Sequence, residues 1–322
     1  MSNTCSTRLE GVSDLRWNAP SEGGLFELSR RTPGRGEYHG LTFHETEAKS
    51  ILNRVPGDYL PFDWTINPYR GCSHACVYCF ARPTHEYLGF DTGKDFDSQI
   101  VVKINAVELT RAETAPARWS GEPIAMGTNT DPYQPAEGRY RLTRGILEVL
   151  TERRNPFTIL TKSTLALRDL DVFVEAAANT RISVSFSIGT LDPEVWRQTE
   201  PGTPHPQRRV EAIARLHEAG VPTGALVAPL IPGLSDRPDQ VTAVENACRE
   251  AGADSVFPIR LHLRPGVKEH FMSWLTDSHP ELTAEYERLY RDRSYLPRHQ
   301  RARPRPNPST PKPVSQPALP FG

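Results

Sequence analysis

Short apolar runs rich in β-branched and aromatic residues alternate with stretches of helical period along most of the chain. That alternation marks right-handed βα units around a parallel sheet. The runs lie at residues 64–68, 123–128, 157–161, 182–188, 223–229 and 255–261, each with a helical stretch after it. Two helices have sharp ends. One starts at Pro206, whose missing N–H costs nothing in a first turn, carries Val210, Ile213, Ala214 and His217 as one stripe, and stops at Gly220, which suits a left-handed cap. The next, Pro238 to Glu250, stops in the same way at Gly252. Asp192-Pro193-Glu194 opens another, with a capping side chain and favourable negative charge. Six units without a seventh or eighth predict an incomplete β/α barrel whose open side admits a large substrate. In such folds chemistry gathers at the carboxyl ends of the strands. Residues 1–45 are expected as a poorly ordered leader and 297–322 as a tail, leaving 46–296 for the barrel.

With 37% hydrophobic and 24% charged residues among 322, the chain is globular overall, and no apolar stretch approaches the ~18 residues that would span a membrane. The net charge is −1, with no global basic footprint for nucleic acid. That balance hides an asymmetry. Residues 297–322 contain eight prolines, five Lys or Arg and no acid, which leaves 33 basic against 39 acidic residues in the rest, a net −6. Proline at that density fixes φ and removes donors, so the tail is expected to be solvated and partly extended, either a disordered end or a nucleic-acid- or partner-binding arm.

The five cysteines are too few and too odd in number for a secreted disulfide framework, and residues 1–20 lack a signal peptide's apolar core. Reducing cytoplasm is the expected location. Cys72, Cys76 and Cys79 fall within eight residues, directly after the first strand. Spacings of four and three let three sulfurs converge on one centre, as iron–sulfur clusters require. A four-iron cubane ordinarily takes four cysteines. The other candidate in the body, Cys248, shares an apolar helix stripe with Val241 and Val244 and reads as a small buried hydrophobe. One iron is then left without a protein ligand, which distinguishes a reactive metal site from a closed structural one. The competing reading is a Cys3His zinc knot using His74, although that residue is cramped between its flanking cysteines.

The Cys-x3-Cys-x2-Cys loop with Tyr78 before its last cysteine resembles the signature of the radical S-adenosylmethionine superfamily. Lys49-Ser50-Ile51-Leu52-Asn53, Asn67-Pro68-Tyr69-Arg70-Gly71-Cys72, residues 131–137 (DPYQPAE), Thr161-Lys162-Ser163 and residues 200–204 (EPGTP) resemble its spore-photolyase branch, over residues 45–290. The resemblance implies an α/β fold, a partial (β/α)6 TIM-type barrel with N- and C-terminal extensions. It implies a [4Fe-4S] cluster on the three cysteines whose open iron binds S-adenosyl-L-methionine. One electron, from a donor such as a flavodoxin or ferredoxin, then yields a 5′-deoxyadenosyl radical that abstracts hydrogen. A monomer is expected.

The cofactor's zwitterionic end needs an acceptor for its ammonium and donors for its carboxylate. By resemblance, Thr128, Asn129, Thr130 and Asp131 at the second strand end meet the ammonium, Lys162 meets the carboxylate and Ser187 touches the cofactor. The alternative for the first four is a hydrogen-bonded turn ahead of Pro132. Period-two geometry places Ser183, Ser185 and Ser187 on one face of the fourth strand, opposite Val184, Phe186 and Ile188. Glu200 and Arg209 read first as solvated helix charges. Arg260, His262 and Arg264 alternate onto one side, either an anion-binding face or a solvated edge. Tyr69, Arg70, Tyr78 and Tyr133 lie near the cluster in sequence, as aromatic walls or simple packing.

The photolyase branch repairs a thymine dimer with a cysteine hydrogen donor, and Thr128 stands at that position here. A hydroxyl O–H is far stronger than a thiol S–H, so this chain is not expected to follow the photolyase route. The catalytic residues and substrate stay unassigned, with nucleic acid, peptide and small metabolite as candidates. The other class of reading is a non-catalytic zinc or iron–sulfur scaffold that recruits a partner through its basic tail.

Overall fold

The computed structural model describes residues 26–55 and 62–296. Its strands are β1 (Phe26–Pro33), β2 (Thr42–Ala48), β3 (Leu52–Arg54), β4 (Trp64–Ile66), β5 (Tyr69–Arg70), β6 (Gln99–Lys103), β7 (Ile124–Met126), β8 (Phe157–Thr161), β9 (Ile182–Ser187), β10 (Thr223–Leu230) and β11 (Ser255–Arg260). They form two sheets. The larger has the order β11-β10-β9-β8-β7-β4-β3, and its six strands from β4 to β11 run parallel. These are the six predicted runs. β3 caps one edge antiparallel to β4, and β11 forms the other edge, so the sheet curves without closing. The α/β partial barrel is thus the observed architecture.

Alternation along each strand separates two faces. Ile66, Ile124, Phe157, Val184, Phe186 and Val227 point outward into one large core shared with Ile146, Phe173, Ile213 and Val244 of the surrounding helices. The opposite positions, Thr65, Thr158, Ser183, Ser185 and Ser187, make a hydroxyl-rich concave face. Helix ends follow the sequence signals. Asp192 caps Pro193–Thr199 by accepting from Glu194 N and Val195 N, and Gly220 and Gly252 stand at positive φ after their helices. On Pro206–Glu218, Val210 and Ile213 are buried as expected, but His217 is exposed, and Ala212 and Leu216 complete the stripe instead. Cys248 is fully buried in the main core.

The expected leader does not extend to residue 45. Within it, β1 pairs antiparallel with β2, and β2 pairs parallel with β6 in the four-stranded sheet β1-β2-β6-β5. Phe43 is buried in the main core. The strand hid its pattern because His44 and Thr46, both polar, are buried as deeply as Phe43. Residues 1–25 and the tail expected at 297–322 lie outside the described residues. No helix among the described residues is long and apolar enough to cross a membrane.

Candidate active site

The cysteine loop follows β5 in two tight turns, with Ala75 N donating to Cys72 O and Cys79 N to Cys76 O, each at 3.2 Å. Cys72 and Cys76 are buried and Cys79 is half-buried. Burial pushes all three thiols up, and for Cys72 the charges of Asp131, Cys79 and Cys76 add to the effect. The surroundings act the other way. Lys162 and Arg209 favour the Cys76 thiolate, Arg82 favours that of Cys79, and the backbone N–H groups of Asp131 and Ala81 serve Cys72 and Cys79. Three thiols on one loop, ringed by cations and N–H donors, fit an anionic iron–sulfur cluster, since a metal holds its thiols deprotonated.

Zinc fits less well. His74 Nδ1 lies 3.3 Å from Asp131 Oδ2.

Two braces hold the loop. Arg82 is wholly buried and donates to Cys76 O at 3.2 and 2.9 Å, to Thr92 O and Gly93 O at 3.0 Å each, and to Asp97 at 2.9 Å. Its fork of donors fixes the backbone between the second and third thiols. The other brace is residues 199–204. Val77 N donates to Thr199 O, and Gly202 N to His74 O, both at 3.1 Å. A Cβ on Gly202 would lie 2.2 Å from Ser73 O, so only glycine lets the two segments touch.

That contact delivers Glu200 to Tyr78. One Glu200 oxygen accepts from the Tyr78 hydroxyl and from Lys162 Nζ at 3.1 Å, and the other meets Arg209 at 2.6 Å. Burial works to raise the Glu200 carboxyl, but Arg209 and Lys162 outweigh it and hold it at about 2. Arg209 also donates to Ser187 O, Thr203 Oγ1 and Pro204 O. Glu200 and Arg209 are therefore not solvated helix charges.

Lys162 and Ser187 meet at the ends of β8 and β9. Lys162 Nζ donates to Ser187 Oγ at 2.7 Å, Ser187 Oγ donates to Ala228 O at 2.9 Å, and the ammonium sits 5.6 Å from the Tyr78 ring centroid.

The end of β7 divides into two pairs. Gly127 has φ +88°, and a Cβ there would sit 1.9 Å from Leu160 O, which forces glycine and turns the chain across β8. Beyond it, Thr128 and Asn129 line a cavity. Thr130 instead donates to Gly71 O at 2.8 Å. Asp131 accepts from Tyr133 N at 2.9 Å, Thr161 Oγ1 at 2.6 Å and Lys162 N at 2.7 Å. Burial opposes its charge, yet His74, Thr161 and the Lys162 N–H hold its carboxyl below the usual range.

The radical SAM superfamily model matches residues 66–243. The chain belongs to the radical SAM superfamily. This radical SAM enzyme is 48% identical over 262 residues to an uncharacterized protein of Mycobacterium tuberculosis, covering 81% of the chain and 77% of the relative. A protein of Pseudomonas phage M6 named radical SAM Nalpha-GlyT isomerase is 26% identical over 173 residues, covering 53% of the chain and 34% of that protein. The fold resembles solved spore photoproduct lyase mutants. One has a TM-score of 0.55 and 18% identity, covering 78% of this chain and 72% of that one. Another, with bound AdoMet and dinucleoside spore photoproduct, has a TM-score of 0.52 at the same identity and coverage. Membership in the superfamily implies a [4Fe-4S] cluster and S-adenosylmethionine, and the scaffold reading gives way to an enzyme.

Other sequence candidates fall away from the site. Tyr69 donates to Glu137 at 2.5 Å and Tyr133 to Asp169 at 3.0 Å, both as packed core groups. Arg260 lies 3.8 Å from Asp236, and His262 stacks on Tyr295 at 4.1 Å. Arg82 carried no sequence signal, since a lone arginine after a metal loop has no periodicity to expose it.

Proposed function

We propose that Cys72, Cys76 and Cys79 hold a [4Fe-4S] cluster and that S-adenosyl-L-methionine binds beside it, at the ends of β7, β8 and β9. When bound, this pair supplies a hydrogen-abstracting carbon radical through one-electron reductive cleavage. The carrying observation is that Lys162, Ser187, Glu200 and Tyr78 form one buried hydrogen-bonded group next to Cys76. Lys162 uses two of its three donors, on Ser187 and Glu200, and keeps the third for the methionyl carboxylate. Glu200 fixes the charge and position of Lys162. Thr128 and Asn129 offer the polar atoms at the ammonium end, while Thr130 and Asp131 hold that turn against Gly71 and Lys162. Buried Tyr78 keeps water from the surroundings of the reacting atoms.

The substrate we favour contains a nucleotide unit. The relative solved with a dinucleoside photoproduct supports that class. Thr128 cannot return a hydrogen atom as a thiol does, so the photolyase route is not the one proposed. A flavodoxin- or ferredoxin-type donor in a reducing cytoplasm would supply the electron.

Anaerobic reconstitution, dithionite reduction and chromatography for 5′-deoxyadenosine test this reading. Wild type is expected to show brown cluster absorption and release 5′-deoxyadenosine, and Cys76→Ser to lose both. A fully loaded cluster that releases none overturns it.

A further inference from the structure

A cavity of about 290 Å³ opens beside the proposed cofactor end, sharing Thr128 and Asn129 with it. The rest of its polar wall comes from Asn53 of β3, Thr65 and Asn67 at the end of β4, Arg70 of β5 and Lys103 of β6. Two cations thus approach one space from the small sheet, and none of the lining residues is an acid. Lys103 is buried; desolvation and the Arg70 charge hold its ammonium down to about 7, against an opposing effect of Glu113. The Glu113 carboxylate does not line the cavity. It accepts from the backbone N–H groups of Ile51 at 3.0 Å and Leu52 at 2.8 Å. Two like charges beside one poorly solvated space repel, and an anion placed between them offsets that repulsion.

Asn67 makes a second, independent observation. It is 8% exposed, it lines the same cavity, and its Oδ1 is buried with no hydrogen-bond partner in the fold. A buried acceptor of this kind is costly to leave unsatisfied, so it marks where a ligand donor belongs.

We propose that this cavity is the anion-holding end of the substrate site, taking a phosphate group flanked by a hydroxyl or amine that donates to Asn67. The Arg70 fork and the Lys103 point charge, with amide and hydroxyl donors around them, offer more contacts than a carboxylate can accept, which favours phosphate. The volume sits at the lower end of ligand pockets, roughly 300–1,000 Å³, and suits a single nucleotide-sized unit rather than a duplex. The term substrate rests on the radical reading above, because Thr128 and Asn129 are common to the cavity and the cofactor end.

The test is calorimetric titration of the full chain with inorganic phosphate at fixed ionic strength, with acetate as the second probe. Saturable phosphate binding is expected, weakened about tenfold by Lys103→Met through loss of a charged contact and retained in Lys103→Arg. Melting temperature and cluster absorption report whether each variant is folded. Absence of saturable binding, or equal binding by Lys103→Met, overturns the site; acetate bound as tightly as phosphate overturns the phosphate assignment. The titration needs no S-adenosylmethionine. Phosphate binding without 5′-deoxyadenosine release therefore sinks only the radical reading, and release without phosphate binding sinks only this one.

Discussion

Two buried ionic groups lie on either side of the parallel sheet, and they differ in whether any donor is left over. Behind the sheet, Glu137 accepts from the Tyr69 hydroxyl at 2.5 Å, Thr143 N at 2.9 Å, Arg168 at 2.6 Å and Arg144 N at 3.3 Å. Asp169 accepts from Tyr133, Arg144 and Arg168. Each acid is fully buried and each oxygen is engaged. Beside the thiols, the same residue types meet as Glu200, Arg209, Lys162 and Tyr78, but Lys162 keeps a donor in reserve and its side chain is 14% exposed. A saturated group holds elements together. An unsaturated one with a solvent-facing edge is built to meet something else.

The largest expected effect separates the two directly. Glu137→Gln keeps the shape but turns an amide N–H₂ toward donors already present, and it removes one of the two carboxylates that hold Arg168, leaving only Asp169. Breaking such a buried pair should cost about 3 kcal/mol, partly relieved because Arg168 reaches solvent, and lower Tm by roughly 6–12 °C. Calorimetric melting checks the loss, and S-adenosylmethionine affinity of the folded fraction should not change. A melting temperature equal to wild type would make the rear group ornamental.

Next in size is a pH effect on the thiol side. His85 supports the loop from behind. Its Nε2 meets Gln99 O at 2.9 Å, its Nδ1 is buried without a partner, and burial holds its imidazole down to about 4. An unfolded His takes its proton near 6.5, so the stabilisation is whole above that pH and declines as the pH falls toward 4. Between pH 7 and 5 the loss should reach about 2 kcal/mol. Chemical denaturation at both pH values measures it, and His85→Gln should flatten the difference.

The contrast also shows which features the sequence could reveal. All six parallel strands were legible because outward positions such as Val184 and Phe186 alternate with inward serines. The cysteine loop was legible because its chemistry depends on local spacing. Glu200 and Arg209 were not, since charges at a helix start ordinarily face water, and only the packing of Gly202 on Ser73 turns them inward. β2 and Lys103 escaped for a related reason: a polar side chain buried in a strand erases the alternation that announces the strand. Polar burial depends on partners distant in sequence, which no local pattern records.

A smaller effect probes the donor held in reserve. Lys162→Met keeps the aliphatic stem, and Glu200 keeps Arg209 and Tyr78 as partners, so melting should move little. S-adenosylmethionine binding should weaken about tenfold, the equivalent of one charged hydrogen bond. Equilibrium dialysis of the reconstituted protein reads this. Unchanged affinity would remove the lysine from the cofactor and leave it as a further structural tie.

The smallest effect concerns the thiol that sits apart. Cys248 lies in the main core on the helix Pro238–Glu250, fully buried beside Val241 and Val244. Burial pushes its thiol up to about 11, so it stays a neutral packing group. Cys248→Ala removes one buried atom and leaves a small void, which should cost about 1 kcal/mol. Iron content and cluster absorption should match wild type, whereas Cys72→Ala, Cys76→Ala and Cys79→Ala should each lose them. If Cys248→Ala lost iron, a thiol on a distant helix would be reaching the cluster, and the ligand set could no longer be the three loop cysteines alone.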